Sequence, residues 1–215
     1  MLDNVTGPLH SLYALGLQCR VRAVRIQYFG MEDAESYRQT QCVLKDMRPS
    51  TLSMLADLSR ISVSDIASVV PTPACQYLTH FSFTISFNLS SISATPKSIV
   101  ENILILLSTL SQLKFLRLTI FWTKEKESET TDFVLLQLKE LHEKPSGFLQ
   151  HIAEITPSLQ TIDLYTEPDC QSAWKIRRSR DGVVVIDAIG IGSAEWMAMN
   201  SDSSLKSWWM LTLDS

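Results

Sequence analysis

A short frame, Leu-x-x-apolar-x-apolar, returns along this chain and constrains its fold more than any other feature. It is clearest in "LTHFSFTISF" (78–87), "LKFLRLTIFW" (113–122) and "LQTIDLYTEP" (159–168). With Val heading one copy, five candidates are found: Val21/Val24/Ile26, Leu58/Ile61/Val63, Leu78/Phe81/Phe83, Leu113/Leu116/Leu118 and Leu159/Ile162/Leu164. They follow one another at intervals of 37, 20, 35 and 46 residues. Apolar residues at every second position predict strands with one buried face, because successive side chains point to opposite sides of a sheet.

The segments between the frames read as helices. In "SATPKSIVENILILLSTLSQ" Thr95 is placed to cap a helix and Pro96 to occupy its first position, followed by Val100, Ile103, Leu104, Leu107 and Leu110 at helical spacing. "TDFVLLQLKELHEKP" sets Phe133, Leu135, Leu138 and Leu141 near one face and stops at Pro145, and a shorter helix, "GFLQHIAEI", follows. Ser64 and Asp65 are expected to cap a helix of one or two turns ending before Pro71. Strands separated by helical crossovers imply a parallel sheet. The predicted fold is therefore α/β, an irregular leucine-rich-repeat-like stack of parallel strands with helices behind. Intervals of 35 and 46 residues exceed the roughly 20–29 of regular repeats, and Phe29, Ile66, Ser86, Phe121 and Glu167 stand where Asn or Cys is usual. The domain is expected to span residues 1–192, most clearly 50–192, with 193–215 as a tail containing a short helix and Trp208-Trp209.

Near the end, "SAWKIRRSRDGVVVIDAIG" places two β-like runs around Asp181-Gly182, whose residues tolerate positive φ and so predict a hairpin. Val183 to Ile186 are nearly continuous and are expected to be buried on both faces. This C-terminal β-hairpin is expected to close the stack and protect its last edge.

Composition narrows the function. A formal net charge of −4 offers no basic field for a phosphate backbone, so no nucleic-acid partner is expected. The four cysteines (Cys19, Cys42, Cys75, Cys170) contain no C-x-x-C and read as buried, reduced thiols. The acidic start "MLDNVTG" is a poor signal peptide, and the most apolar helical run falls short of the ~20 residues of a membrane span. A soluble protein of cytosol or nucleus, without a membrane partner, is the expectation; the sequons at Asn4 and Asn88 are read as chance matches.

No catalytic or metal-ligating constellation is evident, and no cofactor is expected. His142 and His151 are separated by Pro145 and Gly147, while His10 and His80 stand apart from them. Gly190-Ile191-Gly192 lacks the third glycine of a dinucleotide fingerprint, and there is no Gly-x-Ser-x-Gly elbow. "KEKESE" (124–129) reads as a solvated run, and Arg20, Arg22, Arg177, Arg178 and Arg180 as dispersed surface charge. The alternatives to a binding protein are a small thiol- or serine-dependent hydrolase on a non-repeat α/β fold, or a truncated product without an independent role.

Stacking the five frames in register aligns the intervening residues in outward columns. One holds Arg25, Ser62, Ser82, Arg117 and Asp163; the next holds Gln27, Ser64, Thr84, Thr119 and Tyr165, with Phe115 and Phe121 on the same face. Aromatic and Arg residues dominate protein interfaces, so Phe115, Arg117 and Tyr165 are the leading partner-binding candidates, with Arg25 and Asp163 setting charge complementarity. On this reading Arg117→Ala and Tyr165→Ala would leave thermal stability nearly unchanged while weakening partner binding.

From about residue 50 to 192 the chain resembles the C-terminal half of fungal F-box proteins with leucine-rich-repeat-like tails. The resemblance is carried by "STLSMLADLSRISVS", "CQYLTHFSFTISF", "LSQLKFLRLTIFW" and, above all, "TPSLQTIDLYTEP…SAWKIRRSRDGVVVIDAIG". The last is similar to that family's closing unit, a P-x-L-x-x-I-x-L strand, a Trp-containing strand, an acidic-Gly turn and a final strand. The resemblance implies a ubiquitin-ligase adaptor whose repeat surface holds the target while an F-box grips the linker subunit of a cullin-RING ligase. The first 50 residues show no Leu-Pro-x-Glu helix of an F-box, so it is the recognition half that the resemblance implies here.

Overall fold

The computed structural model describes residues 2–29, 34–58, 61–71, 76–88, 95–123, 146–166, 170–194 and 196–197. In chain order the elements are β1 (Leu2–Gly7), α1 (Leu9–Leu15), β2 (Val21–Phe29), α2 (Ala34–Met47), β3 (Thr51–Asp57), a 3₁₀ helix (Val63–Ser68), β4 (His80–Asn88), α3 (Pro96–Thr109), β5 (Phe115–Thr123), α4 (Ser146–Ile155), β6 (Thr161–Thr166), β7 (Cys170–Arg178) and β8 (Val184–Ile189). The predicted helix over 132–145, the solvated run at 124–129 and Trp208-Trp209 lie outside the described residues.

The eight strands form one sheet in sequential order, β1 to β8. Each pair from β1–β2 to β5–β6 is parallel. The pairs β6–β7 and β7–β8 are antiparallel. The protein is thus α/β with a mostly parallel sheet.

Pairing follows the apolar frames. Val24, Leu52, Phe81, Leu116, Ile162 and Trp174 form one continuous row across neighbouring strands. Ile26, Met54, Phe83, Leu118 and Leu164 form the next. Both rows belong to a single core with Leu12 of α1, Leu44 and Met47 of α2, Ile66 of the 3₁₀ helix, Ile103 and Leu107 of α3, and Ile152 of α4. The helices therefore pack on one side of the sheet. Because a one-residue slip would carry a whole row to the opposite side, burial of these rows specifies the register.

One frame was misplaced. The second strand of the expected series is not Leu58/Ile61/Val63 but β3, where Leu52, Met54 and Ala56 face the core. Pro49, buried, occupies the position that Leu takes in the other frames. Leu58 and Ile61 are buried too, but in the turn after the strand and the approach to the 3₁₀ helix; Leu58 N still donates to Ser86 O of β4 at 2.8 Å, but neither residue belongs to a strand. That helix starts at Val63: Ser62 N donates to Asp65 Oδ2 at 3.1 Å, which moves the cap from Ser64 to Ser62. The α3 cap matches expectation, with Thr95 Oγ1 accepting from Ser98 N at 3.2 Å and Pro96 opening the helix.

A chain of hydrogen bonds ties successive units together where the strands begin. Ser50 N donates to Arg22 O, Thr79 N to Ser50 O, Lys114 N to Thr79 O and Gln160 N to Lys114 O. Hydroxyl groups reinforce it: Ser50 Oγ reaches Arg22 O, Thr79 Oγ1 reaches Ser50 O, and Ser158 Oγ reaches Leu113 O. Buried backbone carbonyls require such donors.

In the C-terminal hairpin Ile176 pairs with Ile186, and Gly182 adopts φ 79° in the connection. The run from Val183 to Ile186 is not buried on both faces: Val183 is 59% and Val185 43% exposed. Among the described residues β8 is the last strand of the sheet, with β7 beside it, and alternate side chains point away from the helices.

Candidate partner-binding face

The side of the sheet opposite the described helices carries the predicted columns, with one change in the first and two in the second. Arg25 of β2 pairs with Ser53, Ser53 with Ser82, Ser82 with Arg117, and Arg117 with Asp163. In the adjacent column Leu55, Thr84, Thr119, Tyr165 and Gln171 follow one another. Ser53 and Leu55 thus replace Ser62 and Ser64, as the corrected position of β3 requires. Gln27 stays out of the second column because the pairing of β2 with β3 is irregular between Ile26 and Phe29.

The structure brings Phe115, Arg117, Asp163 and Tyr165 together on adjacent β5 and β6. Arg25 shares the row of Arg117 but lies three strands away, about 14 Å at the usual spacing. Aromatic side chains meet on this face. His80 stacks on Phe115 across β4 and β5, with ring centroids 5.9 Å apart. Phe121 meets Tyr165 at 5.6 Å with the rings tilted by 60°.

Between these pairs, Arg117 Nη2 donates to Asp163 Oδ2. The same carboxylate accepts from Gln171 Nε2, at 3.2 Å to Oδ1 and 3.4 Å to Oδ2. Ala173 stands directly opposite Asp163 in the antiparallel register, so its small side chain faces the carboxylate that Gln171 approaches from the neighbouring row. The sequence reading missed Gln171; the hairpin register that pairs it with Tyr165 is the signal that could have found it.

Burial changes how the candidates are to be understood. Arg117 is 9% exposed, Asp163 0% and Phe115 7%. They are not open contact residues, and the expectation that Arg117→Ala would be neutral for stability does not fit this placement. Burial lowers the Arg117 pKa to about 10, opposed by the attraction and hydrogen bond of Asp163, so the guanidinium is still charged at neutral pH. The partly exposed residues of the face are Arg25, Ser53, Leu55, His80, Ser82, Thr84, Phe121, Tyr165 and Gln171. His80 Nδ1 lies 2.9 Å from Thr79 Oγ1, which fixes the ring orientation.

Elsewhere, the arginines near the hairpin are engaged structurally. Arg177 Nε donates to Asp187 Oδ2 at 2.7 Å, and Arg178 is bonded to backbone carbonyls around the end of α4. Arg20 and Arg22 lie at the opposite end of the sheet, on or before β2. Among the described residues, no group of three or more His, Cys, Asp or Glu side chains is arranged to hold a metal ion. No helix of the described residues is long and apolar enough to cross a membrane.

No protein-family model matches the chain, and no curated protein or solved structure does either. What fold and face define together is a class: an α/β protein with helices on one side of a sequentially ordered sheet and a mixed polar and aromatic surface on the other.

Proposed function

We propose that this chain is a protein–protein recognition module whose partner docks on the face of the sheet opposite the described helices, around β4 to β7. The observation that carries this reading is the in-register row Arg25–Ser53–Ser82–Arg117–Asp163, flanked by the His80–Phe115 and Phe121–Tyr165 contacts. A side-chain-rich sheet surface, concave in such a stack and backed by a packed core, keeps the ordering cost of binding low. The buried Arg117–Asp163 pair orients the surface, while partly exposed Arg25, His80, Phe121 and Tyr165 supply its contacts.

A leucine-rich-repeat-like stack is the architecture we assign to this surface, with the antiparallel β7–β8 hairpin closing it. The corrected frame supports that reading. Starting points at Val21, Pro49 and Leu78 give intervals of 28 and 29 residues, inside the range of roughly 20–29 for regular repeats, whereas the later units are longer. With the resemblance to fungal F-box proteins, the module corresponds to the target-binding part of a ubiquitin-ligase adaptor.

The test is affinity purification of the tagged full chain from its native cells, with wild type, Tyr165→Ala and Arg25→Glu compared by quantitative mass spectrometry and each variant checked by thermal melting. A stoichiometric partner lost from both variants at unchanged melting temperature is the expected result. Co-elution of a cullin-RING linker subunit would extend the reading to a ligase. A partner retained by both variants would move the interface off this face.

A further inference from the structure

A second region has the chemistry of a ligand site and lies away from the proposed docking face. Gln18, Arg20, Lys45, Asp46, Arg48 and Tyr77 line an open cleft of about 470 Å³. They come from the last turn of α2 and from the segments entering β2, β3 and β4, so the cleft sits at the amino ends of these strands. Three cations against one acid leave an excess of two positive charges there, in a chain whose net charge is −4.

These cations are not consumed by the fold. Among the described residues Arg20 and Lys45 take part in no ion pair, and Asp46 neutralises neither of them. Arg48 lies over the Tyr77 ring, its guanidinium carbon 5.9 Å from the centroid. The backbone at Arg48 ends a helix and allows a clean test of its side chain. Arg48 N donates to Leu44 O at 3.0 Å, which makes it the residue that terminates α2 in the left-handed conformation, with φ 45°. Glycine is the usual occupant of that position, and of the described residues Arg48 is the only non-glycine with positive φ.

We infer that this cleft binds a single phosphate dianion, free or as a monoester. The excess of two positive charges matches one dianion. A nucleic-acid strand would instead need a basic track, which one spot on an acidic chain does not provide. Arg48 and Arg20 offer planar forks suited to phosphate oxygens, and Lys45 a point charge. Gln18 adds a neutral donor, and Tyr77 holds the Arg48 guanidinium in place from its other side.

The experiment is an NMR titration of the full chain at fixed ionic strength, with inorganic phosphate, phenyl phosphate and, as control, chloride. Saturable shifts confined to the segments around residues 18–20, 45–48 and 77 are expected for at least one phosphate, and none for chloride. Tighter binding of phenyl phosphate identifies an esterified ligand, and equal or weaker binding identifies free phosphate. Arg48→Gly separates function from structure: glycine relieves the left-handed residue, so the melting temperature should hold or rise while affinity falls about tenfold, as loss of one charged hydrogen-bonding group implies. Arg20→Gln with Lys45→Gln should abolish saturation. Absence of saturable binding by either phosphate, or affinities unmoved in these variants, would overturn the inference.

Discussion

Arg117 on β5 and Asp163 on β6 are direct neighbours in the parallel register, and their side chains form a buried ion pair on the side of the sheet away from the helices. Gln171 on β7 completes the arrangement from the antiparallel side. The pair therefore sits where the sheet changes from parallel to antiparallel pairing. Burying two charges carries a desolvation cost that their mutual attraction roughly offsets, so such a pair specifies an arrangement more than it adds net stability.

Removing one member alone is expected to be costly. Asp163→Ala strands the Arg117 guanidinium and should destabilise the fold by about 3–5 kcal/mol, measured by denaturant unfolding. Replacing both, as Arg117→Met with Asp163→Leu, should recover most of that loss. A double variant as unstable as the single one would mean that the two side chains contribute through something other than their charges.

Arg178 makes a different kind of contact. Its Nη1 donates to Leu159 O at 2.5 Å, and its Nη2 to Ala153 O at 2.7 Å and Thr156 O at 3.0 Å. These carbonyls belong to the last turn of α4 and the bend leading into β6, where helix termination leaves acceptors unsatisfied and the helix dipole favours a cation. Arg178→Ala should cost about 1.5–3 kcal/mol, the range for hydrogen bonds to charged groups, with the lower end expected for this partly exposed side chain. Faster amide hydrogen exchange in 153–161 than in β3 would localise the effect. Arg178→Lys should restore only part of the loss, because an ammonium cannot span three separated carbonyls.

How much of this was legible in the sequence differs between elements. In four of the five apolar frames the last two positions lie in strands and in the expected mutual register, because in a sheet buried on one side the period of two ties side-chain identity to pairing. The remaining frame failed because Pro49 fills the place of a leucine while Leu58 and Ile61 supply apolar spacing outside any strand. α2 was missed although Thr40, Val43, Leu44 and Met47 are all buried at helical spacing. Thr40 disguised the stripe, since its hydroxyl is satisfied locally by Ser36 O at 2.9 Å. The alignment of Arg117 with Asp163 was readable, but their burial was not: it depends on Gln171 and on neighbouring strands that the columns alone do not describe. The cleft of Arg20, Lys45 and Arg48 was invisible for the same reason, since its residues meet only through the crossover of α2.

Acid sensitivity should have an identifiable local part. On α2 the Glu35 carboxylate accepts from Arg38 at 2.7 and 2.8 Å and from Gln39 at 3.0 Å, and these hydrogen bonds lower its pKa from 4.5 to about 2. A carboxyl held low in the folded state contributes stability that is complete above pH 4.5 and is lost as the pH falls towards 2. The difference in melting temperature between wild type and Glu35→Gln should therefore be greatest near neutrality and shrink across that interval. Because the group is exposed to solvent, added salt should reduce the difference as well. A gap that is constant with pH would show that Glu35 acts through the geometry of its hydrogen bonds and not through its charge.

The β7–β8 connection isolates the cost of a backbone conformation from that of packing. Gly182 has φ 79°, and a Cβ built there would meet no atom within 4 Å, so a larger residue has space but not a comfortable backbone. Its N–H donates to Ser179 O at 3.1 Å, while Ser179 N donates to Val183 O at 3.0 Å and Val183 N to Ser179 Oγ at 3.1 Å, which fixes the connection at both ends. Gly182→Ala is expected to destabilise the protein by about 1–2 kcal/mol, the cost of a left-handed L-residue. Gly182→Asn should cost less, because asparagine tolerates that region through local hydrogen bonding. Melting temperatures in the order Gly, Asn, Ala would locate the effect in φ alone. Equal losses for Asn and Ala would instead mean that the connection rearranges whenever a side chain is introduced.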